Sequence, residues 1–294
     1  MTRAFRALAA EPWAIEPSWL PVLAAIALRN QAGPRPEPSW AGRNVELIAG
    51  PTSRKMEGSR NTVVSGDGIA LLPVFGPIFG RANMMADISG ATTCTALQAD
   101  YQLALSNPDV GAIMLLIDSP GGQASGIAAF SDQIWQGRKA KPTWAYAMGS
   151  AASAAYWIGC QAAQFNADRT AVIGSIGVAC GISKQVEPDD DGDMEFDFVS
   201  TNAPEKRVDP ETDDGKAQII AMLDGIEGQF IADVARGRAT NATNVKANFG
   251  KGGVLIGQAA ADAGMVDAVS NYDAFYGQLA RLVANQRKVQ ALKA

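Results

Sequence analysis

Histidine is missing altogether from these 294 residues. Its absence excludes every Ser-His-Asp and Cys-His mechanism and every metal site that needs an imidazole. A hydrolase built from this chain must take its base from lysine, a carboxylate or an N-terminal amine. Cysteine is almost as scarce. Cys94, Cys160 and Cys180 are widely spaced, form no CxxC pair, and in their odd number suit a reducing compartment. Three buried small apolar residues is the plainer account of them. No stretch reaches about 18 uninterrupted apolar residues, so no membrane span is expected. Arg3 and Arg6 are followed by Glu11 and Glu16 with no long apolar run between, which is not a signal-peptide pattern. Charge is sparse at 19%, and its balance of −5 argues against nucleic acid as the main partner.

What is present is apolar. Hydrophobic residues make up 47% of the chain, enough for a sizeable core in one large domain or two small ones. Residues 1–31 read as one or two short helices, with Leu20, Leu23, Ala24 and Leu28 at helical spacing. Residues 31–51 hold four prolines and three glycines and read as a linker. Residues 62–64 and 69–74 look like paired strands around the turn Gly66-Asp67-Gly68. The segment FGPIFG at 75–80 reads as a turn, and 84–90 as a surface loop. Residues 92–107 have the pattern of an amphipathic helix, with Leu97, Tyr101 and Leu105 on one side. The run VGAIMLLI at 110–117 has the length and continuity of a parallel strand covered on both faces. A helix is expected from 126 to 136, a strand at 143–147, a helix at 154–163 and a short strand at 164–167. A loop and strand follow at 171–178. The acidic run at 185–193 reads as a solvated loop, and 196–200 as a strand. A long helix within 209–238, a helix, glycine stop and short strand at 257–269, and a helical tail complete the pattern. Alternating strands and helices predict an α/β fold with a mostly parallel sheet.

The chemistry concentrates in two turns. Asp118-Ser119-Pro120-Gly121-Gly122 follows the buried strand, and its glycines can aim backbone N–H groups into a cleft. One strand later, Met148-Gly149-Ser150-Ala151-Ala152-Ser153 leads into an alanine-rich helical run. A serine between a strand and a helix of small residues sits beside unpaired first-turn N–H groups, where a reactive hydroxyl and an oxyanion can both be held. Ser153 is the candidate nucleophile. Ser150 is its rival, better suited to a turn or cap. The segment Gly174-Ser175-Ile176-Gly177 lacks the lysine and spacing of a phosphate loop.

The order DSPGG, AASAAYWIG, VIGSIGV, a lysine before a long helix, then AGMVDAV resembles the signal peptide peptidase A family of serine-lysine peptidases, related to the Clp proteolytic subunit and the crotonase fold. The resemblance covers roughly residues 68–270. It implies a Clp/crotonase-like fold with an N-terminal helical extension. The corresponding division is an extension and linker at 1–51, a peptidase domain at 52–270 and a helical tail at 271–294. The family's nucleophile falls on Ser153. Ala154 supplies one oxyanion donor and Gly121 or Gly122 the other. The general base falls on Lys206, in a stretch that departs from the family's glycine-lysine-x-lysine run, with Lys184 as the alternative. Ser175 is a candidate for orienting the lysine amine. No cofactor and no metal is implied.

The N-terminal EPWAIEPSWL and the lack of an anchor resemble the phage and prophage branch, whose members are capsid-assembly (prohead) proteases. That resemblance implies protein substrates such as scaffold or capsid proteins. It also implies a homo-oligomeric ring, and a place in the bacterial host cytoplasm or within proheads. Three rival readings stand beside it: a cellular signal-peptide or membrane-protein peptidase, a crotonase-like acyl-CoA enzyme, and a catalytically silent shell component.

Overall fold

The structure is a computed structural model. It describes residues 11–19, 21–23, 45, 48–81, 92–182, 187–188, 194, 196 and 198–292. In chain order the first elements are β1 (Trp13–Ile15), β2 (Arg54–Lys55), β3 (Val63–Val64), β4 (Ile69–Phe75), β5 (Ile78–Phe79), β6 (Thr92–Thr93) and α1 (Cys94–Ser106). The central elements are β7 (Ala112–Ser119), β8 (Gly121–Gln123), α2 (Ile127–Gly137), β9 (Thr143–Ala152), α3 (Ala154–Gly159), β10 (Gln164–Ala167) and β11 (Val172–Gly174). The last are α4 (Asp213–Gly237), α5 (Ala242–Asn248), β12 (Val254–Ile256), α6 (Gln258–Asp262), β13 (Ala268–Val269) and α7 (Tyr272–Ala291).

The main sheet runs β12-β11-β9-β7-β4-β3-β2, with β4, β7, β9 and β11 mutually parallel. Its centre is β7, whose apolar run is buried on both faces as a parallel strand between helical layers must be. Ile113, Leu115 and Ile117 face the larger core, which includes Tyr101 of α1, Phe130 of α2 and Trp157 of α3. Met114 and Leu116 face the second core, against Phe275, Leu279 and Val283 of α7. Each such side chain contributes about 1.5–3 kcal/mol by leaving water. The helix α1 starts where expected because the Thr93 hydroxyl caps the Ala96 N–H. A second sheet, β1-β8-β5-β6, stands over the carboxyl ends of β4 and β7.

The structure departs from the sequence-based expectation at several places. Trp13–Ile15 is a strand, within a stretch whose spacing favours helix. The FGPIFG turn contains β5, which pairs in parallel with β8 and β6. Strand β9 runs on to Ala152 instead of ending at Ala147, because its second half finds a new partner in β11 after β10 has ended. Helix α3 is six residues, not ten, and every one is buried. Among the described residues of 196–200 none is in a strand, and Phe196 and Phe198 are exposed. The loop expected at 84–90, and most of the acidic run, lie outside the described residues.

Candidate active site

Ser153 stands at the junction of β9 and α3. Its backbone is at φ 53°, ψ −119°, a region that L-residues rarely adopt. Two bonds hold it there. Its N–H donates to Gly174 O at 2.7 Å, and its carbonyl accepts from Trp157 N–H at 2.9 Å. The residue is wholly buried, and its hydroxyl has no hydrogen-bond partner among the described residues. A buried, unpaired hydroxyl costs about 1–3 kcal/mol. Strain and an orphan polar atom on one residue mark a place where function outweighs stability.

The strand that delivers Ser153 is itself displaced. Ile117 pairs with Ala147 and Ser119 with Ala151, so Asp118 alone faces Met148, Gly149 and Ser150. The Asp118 carboxylate fills this bulge by accepting the Ser150 N–H at 2.9 Å. A β-carbon on Gly149 would lie 2.5 Å from the same carboxylate oxygen, so a side chain there would push the carboxylate off its bond to Ser150. Neither Asp118 nor the bulge was legible from composition. The one available signal was a carboxylate at the end of an apolar strand.

The two glycines of the first turn are not equivalent. Gly121, at φ +100°, turns its N–H to the Ser119 hydroxyl at 3.2 Å. That hydroxyl donates to Gly76 O at 2.6 Å. Gly122 pairs with Ala14 of β1 on one side and Ile78 of β5 on the other. A β-carbon on Gly121 would stand 3.0 Å from the Ala154 nitrogen and 2.9 Å from Ala152 O, so the glycine turn closes directly on the start of α3. The Ala154 N–H belongs to the first turn, where no intrahelical acceptor exists.

Helix α3 is fixed from behind. Trp157 stacks on Phe230 of α4 with ring centroids 4.4 Å apart, and its indole N–H donates to Asp233 at 2.7 Å. The Tyr156 hydroxyl donates to Met265 O at 2.9 Å. Ser175 is buried beside this assembly at φ 52°, with its N–H on Gly253 O at 2.7 Å. The structure therefore brings together Ser153, Ala154, Gly121, Gly122 and Ser175. It does not bring in Lys206. That residue sits exposed in the 3-10 turn Pro204–Lys206, and its amine is not within hydrogen-bond reach of Ser153. Lys184 lies outside the described residues.

Comparison with known proteins bears directly on this geometry. The model of peptidase family S49 matches residues 136–286, just over half of the chain, and the match contains both Ser153 and Lys206. The chain belongs to peptidase family S49. Its α/β architecture is that of the Clp/crotonase-like class. The head-tail preconnector protein GP5 of Enterobacteria phage P21 is 39% identical over 112 residues, covering 38% of this chain and 22% of the relative. The capsid assembly protease C of Escherichia phage lambda is 27% identical over 278 residues, covering 89% of this chain and 61% of the relative. Protease 4 of Salmonella typhi is 28% identical over 225 residues, covering 74% and 35%. The chain thus spans less than two thirds of each of these relatives. No helix among the described residues is long and apolar enough to cross a membrane.

Proposed function

We propose that this S49 member is a serine endopeptidase that cuts scaffold or capsid proteins during phage head assembly. The observation that carries the reading is Ser153: a strained, buried serine with an unpaired hydroxyl, held against a glycine turn. Two phage relatives named for capsid assembly and head-tail connection support the substrate class.

In this reading Ser153 Oγ attacks a peptide carbonyl, and its proton passes to the neutral Lys206 amine. The Ala154 N–H is one oxyanion donor. Gly122 is favoured over Gly121 as the other, because the Gly121 N–H is already turned to Ser119. The lysine then protonates the leaving amine, and water releases the acyl group. A fully solvated lysine has a pKa near 10.4 and is mostly protonated at neutral pH, so the amine needs burial to act. Lys206 is exposed in the single chain, and the reading therefore places it in the site of a neighbouring protomer or of a closed oligomer. Apolar side chains left in water support such a partner: Ile220 and Met222 on α4, and Val254 and Ile256 on the edge strand β12. Ser175 is proposed to hold the amine in line once it arrives.

The test is cleavage of an unfolded protein by the assembled oligomer. Ser153→Ala and Lys206→Ala should each abolish it. Mixing the two inactive variants should restore a fraction of activity if serine and lysine come from different protomers. Cleavage retained by Lys206→Ala would remove that residue from the dyad.

A further inference from the structure

The strand β1 lies along the glycine turn that closes on the start of α3. It runs antiparallel to β8, the segment that begins inside the glycine turn, with Ile15 opposite Gly121, Ala14 opposite Gly122 and Trp13 opposite Gln123. On its other side, Trp13 exchanges both backbone bonds with Ala179, which closely follows Gly177: Trp13 N–H to Ala179 O at 2.7 Å and Ala179 N–H to Trp13 O at 2.9 Å. The strand is therefore clamped between the two walls of the groove in front of Ser153. Its pairing continues at both ends, with the Glu16 N–H on Pro120 O at 2.8 Å and the Ala124 N–H on Pro12 O at 3.1 Å. Gln123 also donates from its amide to the Glu11 carboxylate.

The register sets one carbonyl against the Gly122 N–H. Hydrogen-bonded pairs alternate along an antiparallel ladder. With bonds at Glu16–Pro120 and Pro12–Ala124, the hydrogen-bonded pair between them is Ala14–Gly122. The Gly122 N–H, the donor favoured above for the oxyanion, thus points at the carbonyl of Ala14. A β-carbon on Gly121 would lie 2.3 Å from that same oxygen and 3.0 Å from the Ala154 nitrogen, so oxygen and nitrogen are near neighbours. The side chains alternate as in a bound peptide. Trp13 and Ile15 pack outward against Leu23 and Phe79, while the Ala14 methyl is wholly buried in the main core with Ala154 and Ala155.

We propose that β1 is the chain's own substrate strand: it bars the groove to other polypeptides and presents the Ala14–Ile15 bond to Ser153 for cleavage. This rests on the peptidase reading given above and adds a site of cleavage to it. Ser153 Oγ bonds to the Ala14 carbonyl carbon, and the Ala14–Ile15 C–N bond breaks. The serine proton leaves, by way of the base, on the new Ile15 amine. Water then attacks the ester, releasing residues 1–14 with a carboxylate on Ala14 and restoring the hydroxyl. No other reactant is needed. Loss of the strand leaves the outer edge of β8 unpaired and open to the next polypeptide.

The experiment follows intact mass and N-terminal sequence of the purified full-length chain over time, alongside cleavage of an unfolded protein. Wild type should accumulate a species beginning at Ile15, and its activity on the unfolded protein should rise with that species after a lag. Ser153→Ala should remain intact. Ile15→Pro provides the second variant. Ile15 lies opposite Gly121 at a non-hydrogen-bonded pair, so proline removes no bond to β8, yet it replaces the amine at the bond to be cut. This variant should stay full-length and remain at least 10-fold less active on the unfolded protein. Wild type that digests the unfolded protein at once while keeping residues 1–14 would overturn the proposal and leave the peptidase reading intact. Failure to cut either the chain or the added protein, under assembled conditions, would count against both.

Discussion

The Asp118 carboxylate and the Ser150 N–H, 2.9 Å apart, bridge the point where β7 and β9 fall out of register. Three residues of β9 face one of β7 there, just ahead of the point where Ser153 takes a positive φ. Removing the acceptor should release the bulge without emptying the core, because Asp118 itself is exposed. Asp118→Ala should cost about 1–2 kcal/mol, read as a small fall in the thermal midpoint. It should slow the labelling of Ser153 by a fluorophosphonate about 10-fold. Asp118→Asn, which keeps an acceptor oxygen, should recover most of that rate. Equal labelling by wild type and Asp118→Ala would show that the bulge holds its shape unaided.

Ser153 combines two costs that substitution can separate. Alanine removes the buried unpaired hydroxyl but keeps the positive φ. Glycine removes both, since it adopts φ 53°, ψ −119° without a β-carbon clash. The expected order of stability is Ser153→Gly above Ser153→Ala above wild type, with steps of about 1 kcal/mol. Chemical denaturation of the three proteins checks it, and all activity should be gone from both variants. A wild type more stable than Ser153→Ala would mean that the hydroxyl has a strong partner in the folded protein.

Much of this fold was legible because its signals are local. The unbroken apolar run of β7 announces a strand covered on both faces, and Leu97, Tyr101 and Leu105 at helical spacing announce α1. The small-residue turn ending at Ser153 and the double glycine at 121–122 were legible for the same reason: close backbone approach demands residues without bulk. Features set by distant partners were not. The extension of β9 to Ala152 depends on β11 arriving from 20 residues onward. The strand at Trp13–Ile15 exists because β8 and Ala179 offer it two edges, and three residues carry no period of their own. Lys206 rests on resemblance, and among the described residues none fixes its amine at the serine.

Trp157 couples the nucleophile's helix to α4, the helix that follows Lys206. Trp157→Phe keeps an aromatic ring against Phe230 but loses part of the buried indole and the bond to Asp233, whose carboxylate retains Arg236 at 3.2 Å. It should cost about 1–2 kcal/mol and leave labelling of Ser153 within a few fold. Trp157→Ala also opens a cavity under α3 and should cost about 3–5 kcal/mol. Loss of labelling in this variant should exceed what its unfolded fraction explains, since the oxyanion donor at Ala154 rides on the same short helix. Proportional loss of folding and labelling would reduce Trp157 to a packing residue.

Alkali should unfold this protein through its interior. Burial pushes the thiols of Cys94 and Cys160 from an ordinary 9.0 up to about 12, and burial likewise raises the Tyr101 hydroxyl from 10.0 to about 12. Each group keeps its proton in the folded chain over a range where the unfolded chain releases it. The folded state therefore binds more protons, and stability falls as pH rises from about 9 toward 12. Each group adds a slope of about 1 kcal/mol per pH unit in that window. Denaturant midpoints measured from pH 8 to 11 should fall steadily. Cys94→Ala and Cys160→Ala, whatever they do to stability at pH 7, should each flatten the fall by about that amount. Curves that stay parallel to wild type would place the alkaline transition elsewhere, in the tyrosines Tyr146, Tyr156 and Tyr276, whose hydroxyls are raised by burial as well.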